Sequence, residues 1–246
     1  VRKVVAVSDI HGRLSALERL IADSIKGNYS DYQLVFLGDY IGYGEDSIKT
    51  LLKIKEFKER TGAVVLRGNW EEMLLQAFGP NGNEKTDCVM EFYRSGSKDV
   101  LQELKKNRFL CSMVLEFIRT MPLYHTCGNV LYAHSGVDFS VWEPGMSARD
   151  FGEAQDMNSL IWNQNFWEVI RSPGREIPVD VVVGHLPVQV LHGSKQEDGF
   201  PGPFLFKRAL GIDCGASRKS GYLGAVCITD SVQDAQWNYV PVSNQK

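Results

Sequence analysis

Apolar positions along the chain recur with two different periods. Val4-Val5-Ala6-Val7, Gln33-Leu34-Val35-Phe36-Leu37 and Ala63-Val64-Val65-Leu66 are short, nearly unbroken apolar runs. This is the pattern of strands covered on both faces. Between them, Leu14, Leu17, Leu20 and Ile21 repeat at helical spacing within residues 14–25, and Ile48, Leu51 and Leu52 do so within residues 47–60. A β-α-β-α-β rhythm of this kind predicts a parallel sheet with right-handed crossovers. From Glu71 to Met121 the spacing is mostly helical and polar-faced, broken at Gly79-Pro80-Asn81-Gly82-Asn83 and near Gly96. It reads as a helical insertion over about 79–121, either a cap beside the strand edge or a plain packing subdomain. Short apolar runs then return at 123–126, 130–133, 179–183, 205–212, 222–229 and 236–240. Their half-alternation predicts a second, largely antiparallel sheet packed on the first. The class is α/β (α+β).

Bulk properties narrow this picture without redirecting it. A length of 246 residues suits one large domain spanning 1–246. The hydrophobic share of 43% and charged share of 23% are ordinary for a soluble globular chain. A net charge of −3 gives no broad footprint for nucleic acid or for an anionic membrane. No apolar run approaches the roughly 20 residues that span a bilayer. Val1-Arg2-Lys3 enters the first strand at once, without an initiator Met or a signal-peptide core. Five cysteines, odd in number and without C-x-x-C spacing, argue against a disulfide framework or a zinc ribbon. They read as small core residues in a reducing, cytoplasmic setting, and the chain is expected to be a monomer.

The chemistry sits where the strands stop. The first run ends in Asp9-Ile10-His11-Gly12, the second in Gly38-Asp39 and the third in Arg67-Gly68-Asn69. Asp9 and His11 stand two apart, so in extended backbone both reach one cation. Carboxyl ends of parallel strands are where open α/β sheets bind ligands. Two later runs repeat the signal, with Ala133-His134-Ser135-Gly136 and Gly184-His185. Two Asp, one Asn and three His at strand ends suit two adjacent divalent cations bridged by a carboxylate. His125 and His192 belong to no such block and read as structural or surface residues.

These blocks, in this order, resemble the calcineurin-like metallophosphoesterases. Within that group they resemble the serine/threonine phosphoprotein phosphatases, including small bacterial and phage forms, and the symmetrical dinucleoside tetraphosphatases. Gly184-His185-Leu186-Pro187-Val188 and Ile212-Asp213-Cys214-Gly215-Ala216 look like the closing motifs of that branch. The resemblance implies a four-layer α-β-β-α sandwich of two mixed sheets with metals at one edge. It implies Asp9, His11 and Asp39 on a first metal, and Asp39, Asn69, His134 and His185 on a second. Other branches carry a second His two positions after Gly-His, where this chain has Pro187, which leaves more solvent on the first metal. Mixed oxygen and nitrogen ligands suit Mn²⁺ first, with Fe and Zn²⁺ compatible. The implied reaction is in-line attack on phosphorus by a hydroxide bridging the two cations.

Two departures alter the expectation. The phosphoprotein phosphatases follow their second block with Asp-Arg-Gly and place a His directly after the block-three Asn. This chain has Gly42-Tyr43-Gly44 and Trp70. By resemblance, the general acid, its orienting carboxylate and the phosphate-holding Arg are all replaced. A general acid is typically worth about 10²–10⁴ in rate, most of all for a poor alkoxide leaving group. Arg67 and the Tyr43 hydroxyl are candidate phosphate contacts beside Asp39 and Asn69, and Glu71 is a candidate proton donor. The expected substrate is a phosphorylated protein. The alternatives are a nucleotide anhydride, or a weakly active relative that binds phosphorylated ligands without turnover.

Overall fold

β1 (Lys3–Val7) is the centre of the first sheet in the computed structural model, which describes residues 3–79, 89–90, 92–93, 97–193 and 200–243. It is followed by α1 (Leu14–Ile25), β2 (Tyr32–Phe36), α2 (Ser47–Thr61), β3 (Val64–Val65) and α3 (Asn69–Phe78). The predicted β-α-β-α-β unit is therefore present, with β1 parallel to β2 and β2 parallel to β3. Left-handed residues Lys26 and Gly62 close α1 and α2.

α4 (Lys98–Lys106) and α5 (Arg108–Arg119) supply the helical character expected after α3. Leu101, Leu104, Val114, Leu115 and Ile118 face the same core as Leu74 and Phe78 of α3. The expected break at 80–83 and Cys88 lie outside the described residues, as does Gly96.

β4 (Tyr124–Cys127) and β5 (Val130–Ala133) form a hairpin. Three short helices follow, α6 (Ala148–Glu153), α7 (Met157–Ile161) and α8 (Phe166–Arg171). The Ser147 and Asp156 side chains cap the first two of these. Next come β6 (Asp180–Val183), α9 (Val188–His192), β7 (Phe204–Phe206), β8 (Ala209–Gly211), β9 (Tyr222–Ile228) and β10 (Gln236–Pro241). The run at 205–212 is a tight hairpin rather than one strand, turning at Lys207 with φ 52°.

The sheet orders are β10-β9-β1-β2-β3 and β4-β5-β6-β8-β7. This corrects the expected second sheet in two ways. Its middle is parallel, because β5 pairs β6 and β6 pairs β8 in the same direction. Moreover β9 and β10 leave it and extend the first sheet antiparallel to β1.

Strand alternation then builds the layers. Val4 and Ala6 point into a core shared with Tyr132, Val182, Leu210 and Ile212 of the other sheet. Val5 and Val7 point the other way, onto Leu17, Leu20 and Ile21 of α1. Val181 and Val183 turn from the shared core onto Phe151, Phe166 and Ile170 of α6 and α8. The result is the four-layer α-β-β-α sandwich. No helix among the described residues is long and apolar enough to cross a membrane.

Candidate metal centre and active cleft

Each sheet sends three neighbouring parallel strands to the same edge. β1, β2 and β3 end near Asp9, Asp39 and Asn69, while β5, β6 and β8 end near His134, His185 and Asp213. The cleft between them holds about 230 Å³, lined by Asp9, His11, Asp39, Asn69, His185 and Asp213 together with Tyr43, Trp70, Pro187 and Ser217. Seven non-glycine residues among those described have positive φ. Five of them are Asp9, His11, Asp39, Tyr43 and His185. Backbone strain of this kind persists where the surrounding fold dictates it, and here it concentrates on the cleft.

Two donor sets converge. Asp9, His11 and Asp39 present ligand atoms within 4.8 Å of one another, and so do Asp39, His134 and His185. His11 Nδ1 donates to the Ile41 carbonyl at 3.0 Å, so its Nε2 keeps a lone pair, 3.9 Å from Asp39 Oδ2. His134 Nδ1 likewise donates to the Leu37 carbonyl at 3.0 Å. Its Nε2 stands 2.8 Å from Asn69 Oδ1 and 3.2 Å from His185 Nδ1. Burial lowers His11 and His185 to about 4, and burial with the His185 neighbour takes His134 well below the usual range. All three imidazoles are therefore neutral and able to ligate.

The carboxylates make the opposite case. Burial raises Asp9, and Asp213 beside it adds to the effect. Burial, then Asp9 and Glu71, raises Asp39. Asp213 is pushed up to about 6 by burial, even though its Oδ1 accepts the Gly215 N–H at 2.8 Å. The Arg218 guanidinium offsets this at Asp213, while Asp9 and Asp39 are crowded, buried carboxylates of the kind that favour bound cations. The residues present fit two divalent ions, with Asp39 common to both sets.

Glu71 is not placed to donate a proton. It is fully buried, and its carboxylate accepts the N–H groups of Asp39 at 2.8 Å, Tyr40 at 2.9 Å and Gly68 at 3.1 Å. It ties the loop that carries Asp39 to the one that carries Asn69. Arg67 is also elsewhere: its guanidinium donates to Glu72 at 3.0 Å and to the Arg119 carbonyl at 3.2 Å, outside the cleft lining. This side chain, two positions before Asn69, turns away from the cleft and fastens α3 to α5, so the resting geometry gives Arg67 no phosphate contact.

Asp213 and Ser217 are cleft residues that the sequence does not single out as site residues, although Ala209-Leu210-Gly211-Ile212-Asp213 repeats the signal of an apolar run ending in a carboxylate. His125 stacks near Tyr132, and His192 sits by Phe204 and the Pro203 carbonyl, both outside the cleft lining.

The sequence profile of the calcineurin-like phosphoesterases (Metallophos) matches residues 2–213. The chain belongs to that family. Calcineurin-like phosphoesterases are hydrolases that depend on divalent metal, and this chain carries two donor sets that could hold such ions. It is 32% identical over 150 residues to the asymmetrical bis(5'-nucleosyl)-tetraphosphatase PrpE of Oceanobacillus iheyensis, covering 55% of this chain and 56% of that one. It is 30% identical over 132 residues to a symmetrical bis(5'-nucleosyl)-tetraphosphatase of Dechloromonas aromatica, covering 54% and 43%. The phosphoesterase thus spans about half the length of the curated relatives it matches. A serine/threonine phosphatase structure from Saccharomyces cerevisiae superposes with TM-score 0.58 at 15% identity, covering 100% of this chain and 81% of that one. A cold-active protein tyrosine phosphatase structure does so with TM-score 0.56 at 15% identity, covering 92% and 76%. These two likenesses establish the fold alone.

Proposed function

We propose that this phosphoesterase cleaves phosphoanhydride bonds of nucleoside polyphosphates in preference to alkyl phosphate esters. The observation that carries the proposal is Trp70. The residue after Asn69 is a buried indole packed edge-on to His11 at 5.5 Å, where the resembling phosphoprotein phosphatases have an imidazole acid. An anhydride expels a phosphate that leaves without a proton, whereas a seryl alkoxide does not. The names of the tetraphosphatase relatives support the same preference over the phosphoprotein reading.

Asp9, His11 and Asp39 would hold one divalent ion, and Asp39, Asn69, His134 and His185 the other. Mn²⁺, Fe or Zn²⁺ all suit these oxygen and nitrogen donors. Two ions held there would supply an activated water and charge stabilisation for phosphoryl transfer. The chain's own task is positional. Carbonyls of Ile41 and Leu37 fix the tautomers of His11 and His134. Glu71 holds the backbone of Asp39, and the His185 N–H binds Asp9 Oδ2 at 2.9 Å. Asp213 supplies further negative charge beside Asp9. Cations held alongside would favour its ionised form, so it would not serve as a proton donor.

The test compares diadenosine tetraphosphate with a phosphoserine peptide in Mn²⁺. The anhydride should be cleaved with kcat/KM at least about 100-fold higher, within the range a missing acid costs. Faster cleavage of the peptide would overturn the proposal.

A further inference from the structure

Among the side chains that line the cleft, none is Lys or Arg. Beyond the candidate metal ligands, the large side chains of that lining are Tyr43 and Trp70, both uncharged, and of the two Tyr43 is the exposed one. Tyr43 is 52% exposed beside Trp70, which is 6% exposed. Its ring meets His11 edge-on at 5.0 Å and tilts onto Trp70 at 4.9 Å. Trp70 is itself braced by Phe92 at 6.0 Å. The Tyr43 backbone lies at φ 39°, an unfavourable setting for a bulky residue. No hydrogen bond from its hydroxyl occurs among the described residues. Core packing does not account for an aromatic ring that is exposed and braced by two others on strained backbone.

We infer that the Tyr43 ring is the stacking platform for the nucleobase of a nucleoside polyphosphate whose phosphates reach the metal ligands. Base-on-aromatic stacking needs no charge and tolerates any base, since each has a π face. The platform's place favours a nucleobase over a phosphotyrosine ring. Tyr43 stands at the exposed mouth with its ring against His11, so a base stacked on it would lie at the mouth while its ribose carries the phosphate inward to the candidate ligands. An aryl group esterified directly to phosphorus would lie deeper, among the ligands. The inference rests on the nucleotide reading above and adds the residue that selects the substrate.

The experiment measures dissociation constants by calorimetry on the Mn²⁺-loaded protein for AMP, ribose 5-phosphate and phosphotyrosine, in wild type, Tyr43→Phe and Tyr43→Leu. AMP and ribose 5-phosphate differ only in the base. The wild type should bind AMP about 5- to 150-fold more tightly than ribose 5-phosphate, the range of one stacked base. Tyr43→Phe should keep that ratio, and Tyr43→Leu should bring it close to one. A wild-type ratio near one, binding of neither ligand, or a ratio unchanged in Tyr43→Leu would each overturn the inference. So would loss of the ratio in Tyr43→Phe, which would assign the contact to the hydroxyl, or a Tyr43-dependent gain for phosphotyrosine but not for AMP. The two claims separate cleanly. AMP binding through Tyr43 without cleavage of diadenosine tetraphosphate would sink only the anhydride reading, whereas cleavage with no Tyr43-dependent base preference would sink only the platform.

Discussion

Gly42 and Trp70 are coupled by contact, and the coupling can be worked from the structure. A Cβ built on Gly42 would stand 2.7, 2.8 and 3.1 Å from three atoms of the Trp70 six-membered ring. Gly42 also sits at φ 101°, where side chains are rarely found. Gly42→Ala should therefore carry two separable costs, about 1–3 kcal/mol of backbone strain and about 1–3 kcal/mol of overpacking against a rigid indole. Trp70→Leu removes the ring atoms that the new methyl meets, so it relieves the second cost and leaves the first. Urea unfolding of wild type, both single variants and the double variant, all in chelator at one pH, gives the interaction energy. The double variant should be more stable than the sum of the single losses by about 1–3 kcal/mol. Additivity within about 0.5 kcal/mol would refute the idea that the indole occupies the space beside Gly42. The same contact explains why Asp at 42 and His at 70 cannot be restored one at a time. Gly42→Asp alone presses a carboxylate onto the indole, and Trp70→His alone leaves a gap beside an unoriented imidazole.

Other consequences are equally open to measurement. Glu71→Gln puts an amide N–H₂ or an uncharged oxygen where three backbone N–H groups point. It should cost about 1–3 kcal/mol in urea unfolding and weaken Mn²⁺ binding in calorimetry, and unchanged values for both would remove its positioning role. Asp213 has its pKa raised to about 6 in the fold, so its burden on stability is absent below the unfolded carboxylate range and complete above about pH 6. Metal-free Asp213→Asn should therefore gain stability relative to wild type as pH rises from 4 to 7, and a constant difference across that range would contradict the buried charge. His11 and His185, lowered to about 4, act in the opposite sense, their contribution being lost as pH falls from 6.5 towards 4. With indole in the acid's place, kcat/KM for phosphate monoesters should fall steeply with leaving-group pKa. Nitrophenyl phosphate should exceed an alkyl phosphate by about 10²–10⁴, and equal values would show that another group donates the proton.

Much of the cleft was legible because its signal is local. An apolar run that stops at Asp9, Asp39, Asn69, His134 or His185 identifies a strand end, and parallel neighbours bring strand ends together. Asp213 carries the same signal, but it enters the sequence reading only within a motif that resembles the family's closing block and not as a strand-end carboxylate. What local reading could not supply was partner choice. β9 and β10 look like members of the later sheet, yet they pair with β1, a decision made by packing across the whole sandwich. The β7–β8 hairpin turns at Lys207-Arg208 without Gly or Pro, so 205–212 reads as one strand. Arg67 and Glu71 show the limit for side chains. Each lies two positions from the candidate ligand Asn69, but side-chain direction sends Arg67 to Glu72, and the N-terminal turn of α3 turns Glu71 inward onto backbone N–H groups.

The central claim is that one carboxylate, Asp39, serves two cations. Elemental analysis of purified wild type and Asp39→Asn, each equilibrated with Mn²⁺ and desalted, tests it most directly. The account predicts two metals per chain in wild type and the loss of both in the variant, because neutral Asn cannot bridge the two donor sets. Two metals retained per chain in Asp39→Asn would contradict it.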